Sequence, residues 1–341
     1  MSDRRLDPRL HPLLSRMTGG FGGDVKDRDE LIARMNSDEA REGAAAFRAF
    51  LDLCDTEDVA PSAGLSVETR SFTSSPDGNT IQVQLIRHTD GAPRPGVYYI
   101  HGGGMMTLSC FDGNYRAWGK IIAAQGVNVA MVDFRNCVVP SSAPEVAPFP
   151  AGLDDCVSGL DWLVENASDL GFDPDRLIVA GESGGGNLTL ATALRLNREG
   201  RADTVGGFFA LCPYIAGEWP QERFPSSIEN NGLLLDLHNN VGKQSYGIEA
   251  FERQDPLAWP IFASEADVRG LPPVVISVNE ADPLRDEGIH FYRLLLEAGV
   301  EARCRQVMGT IHGTEIFPVV CPEISRDTAR AIADFCREPG R

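Results

Sequence analysis

The 341-residue chain contains no run approaching the ~18 consecutive apolar residues that a membrane-spanning helix requires. Its opening, MSDRRLDPRLHPLL, is broken by charges and prolines, and no apolar h-region follows. Neither a membrane span nor a secretory signal is therefore expected. Paired cysteine spacing is also missing. Cys54, Cys110, Cys137, Cys156, Cys212, Cys304, Cys321 and Cys336 stand singly, without C-x-x-C or metal-ligand spacing. A disulfide framework and a metal centre are excluded as expectations. Free thiols packed as small hydrophobes, in a cytoplasmic protein, are expected instead. Positive charge is scarce: 31 Lys and Arg stand against 49 Asp and Glu, for a net −18. Nucleic-acid phosphates and anionic lipid surfaces would repel such a chain, so neither nucleic acid nor membrane is an expected partner. A neutral or weakly polar small molecule suits the balance better. Internal repeats and low-complexity tracts are absent too.

What remains is a globular composition, 43% hydrophobic and 23% charged, with enough apolar side chains for a large core. Residues 1–60 have helical character. Asp27-Arg-Asp-Glu30 precedes an apolar run, and Phe47, Phe50 and Leu51 recur at helical spacing in an Ala-rich stretch. Residues 66–73 and 80–88 alternate as strands around the turn signal Ser75-Pro-Asp-Gly-Asn79, which predicts an antiparallel hairpin. Strands are then predicted over 96–100, 127–132, 176–180, 205–211, 273–278 and 302–308. Helices are predicted over 114–125, 153–166, 187–198, 287–298 and 324–336. Repeated β-α-β order implies an α/β fold, with a mostly parallel central sheet flanked by helices. Residues 213–266 break the rhythm with Pro, Trp, Asn and Gly and carry no clear strand. A structureless loop of that length is improbable in a compact domain. The expected organisation is a helical cap built from 1–60 and an insertion at 213–266, over a core formed by 61–212 and 267–341.

Gly181-Glu-Ser-Gly-Gly185 matches G-x-S-x-G, directly after a strand and ahead of a helix. That context makes Ser183 a candidate nucleophile on a sharp turn, where glycines two residues either side avoid a Cβ clash. His101-Gly-Gly-Gly104 follows the strand 96–100. Its glycines leave backbone N–H groups unobstructed, and Gly102, Gly103 and Gly184 are the expected donors of an oxyanion hole. His101 is expected to hold the loop by hydrogen bonds. In the chain order Ser, acid, His, the base lies among His238, His290 and His312. His312 stands in a Gly-flanked loop at the C-terminal end of a strand, where binding loops gather, and is the expected base. Asp282 lies just past the preceding strand, ahead of Pro283, and is the expected partner that orients the imidazole. Glu280 is its rival, while Asp286 and Glu287 are expected to cap the following helix. Met105, Met106, Tyr214 and Trp219 are candidate pocket residues.

These motifs, with the segments FPAGLDDC, GESGGGNL, DPLAWPIFAS, VNEADPLRDEG and IHGTEIF, resemble the hormone-sensitive-lipase family of esterases, in its bacterial branch. The resemblance runs from about residue 60 onward. It implies the α/β-hydrolase fold with a cap, no cofactor, and hydrolysis of carboxylic esters of modest size by Ser183, Asp282 and His312. Glu182 stands where many members have Asp, Gly184 where many have Ala, and Met105-Met106 where an aromatic residue is common. The expected partner is a small-molecule ester. The same groups would serve a lactonase, an amidase or an acyltransferase. A ligand-binding receptor on this scaffold tends to lack the histidine that is present here. The sequence leaves open whether the chain forms a homo-oligomer.

Overall fold

The computed structural model describes residues 3–16 and 22–338. Parts of the expected spans 1–60 and 267–341 therefore lie outside the described residues. Eight strands form one sheet: β1 (Leu65–Thr73), β2 (Thr80–His88), β3 (Arg94–Ile100), β4 (Asn128–Asp133), β5 (Phe172–Glu182), β6 (Gly207–Leu211), β7 (Val274–Asn279) and β8 (Ala302–Val307). Their order is β1-β2-β4-β3-β5-β6-β7-β8. The β1–β2 and β2–β4 pairings are antiparallel, and all others are parallel. The hairpin and each later strand fall where hydrophobic patterning predicts them.

Alternation along the strands sorts the core into two layers. Tyr98 and Ile100 of β3, and Leu177 and Val179 of β5, face one cluster. Val97 and Tyr99, with Ile178 and Ala180, face the other. Helices α5 (Ala151–Asn166), α6 (Gly184–Arg198) and α11 (Arg285–Glu297) pack on the first face through residues such as Leu160, Leu188 and Phe291. On the second, α4 (Gly113–Ala123) and α12 (Pro322–Arg337) pack through Trp118, Ile122 and Ile332. Each fully buried side chain of this kind contributes roughly 1.5–3 kcal/mol relative to exposure.

Short helices occupy the two segments outside this frame. The N-terminal one holds α1 (His11–Arg16), α2 (Arg28–Met35) and α3 (Asp38–Leu51). The asparagine-rich one holds α7 (Ser226–Glu229), α8 (Val241–Tyr246), α9 (Ile248–Glu252) and α10 (Glu265–Val268). The two meet directly: the Val25 N–H donates to Asn240 Oδ1 at 2.8 Å, and Asn240 Nδ2 returns a bond to the Val25 carbonyl at 2.7 Å.

One helix departs from the sequence expectation in a way that matters. α6 starts at Gly184, immediately after Ser183, and not at Asn187. Three glycines in a first turn look like loop, because glycine is a poor helix former. Here contact with distant backbone overrides propensity. A Cβ on Gly185 would stand 2.0 Å from the Ile100 carbonyl oxygen, and one on Gly184 would stand 2.5 Å from the Met105 nitrogen.

Candidate active site

Parallel strands aim their C-terminal ends at one rim, and four of those ends carry the predicted residues. Ser183 follows β5 with φ 59° and ψ −119°, a region costing a non-glycine residue ~1–3 kcal/mol. Two backbone bonds brace it: its N–H donates to the Leu211 carbonyl at 2.9 Å, and its carbonyl accepts from the Tyr214 N–H at 3.0 Å. His312 sits in the loop after β8, ahead of Gly313 in the left-handed conformation. Asp282 sits after β7 and is fully buried. The two loops are tied together, since the Ala281 N–H donates to the Thr310 carbonyl at 2.9 Å.

Ser183, His312 and Asp282 form a continuous hydrogen-bonded chain. His312 Nε2 lies 2.8 Å from Ser183 Oγ, and Nδ1 lies 2.8 Å from Asp282 Oδ2. An ionised carboxylate only accepts, so Nδ1 carries the proton and Nε2 is left to accept from the serine hydroxyl. Asp282 Oδ1 accepts from the Leu284 N–H at 2.9 Å, which orients the carboxylate.

The rival acids do other work. Glu280 accepts from the Gly309 N–H at 2.7 Å and braces the histidine loop from behind. Asp286 and Glu287 do not cap α11, whose N-cap is Leu284. Both reach instead to the inserted segment. Asp286 accepts from the Ser226 N–H at 2.7 Å. Glu287, fully buried, accepts from the N–H groups of Ile215 and Ala216 and from Trp219 Nε1, at 2.8, 3.0 and 2.6 Å. Local sequence suggests capping because both acids stand in the helix's first turn. Unpaired donors elsewhere in the fold claim them.

His101 has the structural place expected of it. Fully buried, it stacks on Phe134 at 4.3 Å, with Nδ1 3.0 Å from the Gly102 carbonyl oxygen. The expectation for Gly102 needs correction. Its N–H donates to Tyr115 Oη at 2.9 Å and is not available to a ligand. Among the described residues no acceptor takes the N–H of Gly103, Gly104 or Gly184. Gly103 and Gly104 also line the cavity that opens on Ser183, and Gly102 does not.

That cavity holds about 610 Å³ and is largely apolar. Met106 and Tyr214 line it as expected, but Met105 and Trp219 do not. Met105 is buried in the turn after the glycines, with its carbonyl accepting from the Cys137 N–H at 2.8 Å. Trp219 stacks behind Tyr214 at 4.6 Å. Further walls come from residues that are not among the candidate pocket residues, including Phe47 on α3, Leu108, Leu234, Leu235, Ile316 and Phe317. Phe47 alone carried a usable signal, its place on the apolar stripe of α3. The charged lining groups are largely engaged. Arg48 lies 3.4 Å from Asp112, and Asp236 accepts from Asn231 Nδ2 at 2.9 Å.

Cys212, just past β6, comes within 4.8 Å of ligand atoms on both Asp282 and His312, the only such metal-type grouping among the described residues. Burial pushes its thiol well above the ordinary range, so it stays a neutral S–H. The other two members are already bonded to each other. All eight cysteines are unpaired. No helix among the described residues is long and apolar enough to cross a membrane.

A mostly parallel α/β sheet with a Ser–His–Asp chain at its C-terminal rim is the architecture of the α/β hydrolases. Comparison with known proteins agrees. A family model described as the alpha/beta hydrolase fold matches residues 97–316. Carboxylesterase NlhH of Mycobacterium tuberculosis is 34% identical over 71% of this chain and 73% of its own length. Esterase Est22 superposes with a TM-score of 0.96 at 62% identity, covering 99% of each chain. Brefeldin A esterase, described as a bacterial homologue of human hormone-sensitive lipase, gives a TM-score of 0.84 at 35% identity over 98% of this chain and 94% of that one. The chain belongs to the α/β-hydrolase family, among the esterases related to hormone-sensitive lipase.

Proposed function

We propose that this protein is a carboxylesterase that works through an acyl-enzyme on Ser183. The supporting observation is the pair of 2.8 Å contacts joining Ser183, His312 and Asp282 at the floor of an apolar cavity. Ser183 Oγ attacks the ester carbonyl carbon while His312 Nε2 takes the hydroxyl proton. Negative charge gathers on the carbonyl oxygen, which the free N–H groups of Gly103, Gly104 and Gly184 receive. Asp282 holds the imidazole in the accepting tautomer and stabilises the imidazolium. The tetrahedral intermediate collapses, and His312 returns its proton to the departing alkoxide. Water then enters, loses a proton to His312 and attacks the acyl carbon. The second intermediate collapses as the bond to Ser183 Oγ breaks, His312 returns the proton to that oxygen, and a carboxylic acid leaves with the serine restored.

Small to medium, uncharged and largely apolar esters suit the cavity. Its volume accepts an acyl chain or ring of modest size, and Arg48 and Asp236 on its wall already have partners. Residues 1–60 and 213–266 are read as a cap, which is supported by the place of α3 residues and of Leu234–Leu237 in the cavity lining. The net charge of −18 argues against nucleic acid or a membrane surface as partner. A reducing, cytoplasmic setting suits eight unpaired thiols.

The test uses p-nitrophenyl butyrate and a fluorophosphonate probe. The native chain is expected to turn over the ester and to be labelled at Ser183. Ser183→Ala is expected to do neither, and His312→Ala to lose on the order of 10⁴-fold or more in kcat. A native chain that neither hydrolyses esters nor takes the label defeats the reading.

A further inference from the structure

One acidic side chain beside the nucleophile has no part in the chemistry above. Glu182 ends β5, one residue before Ser183, and is buried. Its Oε1 accepts from the Tyr115 hydroxyl at 2.8 Å, while Oε2 has no hydrogen-bond partner among the described residues. A buried carboxyl oxygen without a partner costs free energy unless the site uses it. Burial raises it to about 8, so it stands as a neutral acid at pH 7. A Cβ on Gly102 would lie 2.0 Å from Oε1, so the carboxyl is pressed against the backbone of the glycine loop.

The direction of the next bond is fixed by elementary chemistry. An amide N–H only donates, so at the 2.9 Å contact Tyr115 Oη accepts from Gly102. The single proton of Tyr115 must then go to Glu182. The result is a one-way chain, Gly102 N–H to Tyr115 O–H to Glu182, that joins the residue before the nucleophile to the first glycine of the loop. Tyr115 is itself immobilised, fully buried on α4 with its ring 5.6 Å from that of His101. Tying Gly102 restricts the peptide planes that follow, those of Gly103 and Gly104, which line the same cavity as Ser183 and whose N–H groups have no acceptor among the described residues.

We propose that Glu182 and Tyr115 are positioning residues for the oxyanion hole, holding Gly102 so that the two glycines after it, Gly103 and Gly104, face the reacting carbonyl. The inference rests on the esterase reading above. Displacing backbone donors weakens binding of a developing oxyanion more than binding of a neutral ester, because only the former depends on their aim. The loss therefore belongs in kcat and not in KM.

The experiment measures p-nitrophenyl butyrate turnover, thermal stability and inhibition by an alkyl trifluoromethyl ketone, whose serine adduct places an oxyanion in the hole. Tyr115→Phe removes the acceptor and the relay at one stroke. It is expected to lower kcat by about 10- to 100-fold, a part of what losing a whole donor costs, with KM within about twofold. Affinity for the ketone should fall by the same factor. Glu182→Gln keeps an oxygen for Tyr115 and is expected to retain most of the turnover at pH 7. It also covers the case in which Tyr115→Phe does not fold.

The native pH profile supplies a readout that a merely structural role would not move. Charge appearing on Glu182 opposes the oxyanion, so native kcat should fall as pH rises through about 8. The profile of Glu182→Gln should stay flat there. The titratable groups facing Glu182 are Tyr115 on α4, Tyr99 on β3, Cys212 after β6 and Glu315 in the turn beyond His312. The Gln variant separates its part from theirs. Unchanged kcat and ketone affinity in Tyr115→Phe would overturn the proposal, as would an alkaline limb that persists in Glu182→Gln. Turnover that survives Ser183→Ala would instead defeat the esterase reading and leave this geometry unexplained.

Discussion

The rim of the sheet and the helical segments proposed above as its covering layer are built on opposite terms. At the rim, backbone meets backbone: Gly181, Gly184 and Gly185 pack where a Cβ would stand 2.5 Å or less from a main-chain atom. Ser183, Asp282 and His312 are each held by bonds from two or more directions. The covering layer is made of helices tied to one another, as Asn240 is to Val25, and to the core by separate polar links, such as Glu287 to Ile215, Ala216 and Trp219. Most of α3 is exposed, although Gly43, Ala44, Phe47 and Arg48 border the cavity. The difference separates chemistry from selection. Reacting groups need fixed distances, which dense backbone packing supplies. On the proposed function, the shape of the substrate space is set by side chains that can change without disturbing that packing.

The comparison breaks most visibly at Gly185. Gly185→Ala puts a methyl group 2.0 Å from the Ile100 carbonyl oxygen, and backbone on both sides cannot give way cheaply. We expect a loss of about 3 kcal/mol or more, seen as a large drop in thermal midpoint or failure to obtain soluble protein. A variant as stable as the native chain would mean the rim is far more compliant than its contacts indicate.

A smaller effect tests the covering layer as the seat of selection. Ala44→Leu adds bulk at the cavity wall on an exposed helix. It is expected to reduce kcat/KM for octanoyl esters about tenfold, the effect of a few lost or clashing methylenes, with acetyl esters nearly unchanged. Equal losses on both would show that α3 supports the catalytic groups and does not merely shape the cavity.

The smallest effect has the opposite sign. Gly43, inside α3, has no atom within 4 Å of where a Cβ would go. Gly43→Ala is expected to stabilise the chain by about 0.5–1 kcal/mol, because alanine loses less conformational freedom in a helix. Thermal denaturation decides the matter, and any destabilisation would show that this glycine serves the cavity.

Much of the fold could be read along the chain, for reasons that are local. Strands β1 and β2 alternate around a turn signal, the core strands are short apolar runs, and the helices between them carry one apolar face. Ser183, Asp282 and His312 were legible because each follows a strand in a turn with its own chemistry. α6 starts three residues before its expected position: Gly184, Gly185 and Gly186 have poor helix propensity, and only their contacts with distant backbone explain them. Trp219 looked like a pocket aromatic, yet Glu287 draws its indole N–H to the rear of Tyr214.

The linear order of residues by itself determined the α/β class, the chain order of Ser183, Asp282 and His312, which the fold brings together, and the glycine-rich loop near them. Those features rest on periodicity and turn chemistry, which act over a few residues. Only the tertiary structure decided which amides stay free. Gly102, Gly103 and Gly104 are alike in sequence, and Tyr115, thirteen positions away, occupies one of them. It also decided that Met106 faces the cavity while Met105 does not, and that Glu287 serves the insertion and not its own helix. Hydrogen-bond partners and cavity walls are shared between segments far apart in the chain, so their allotment is settled only when those segments pack.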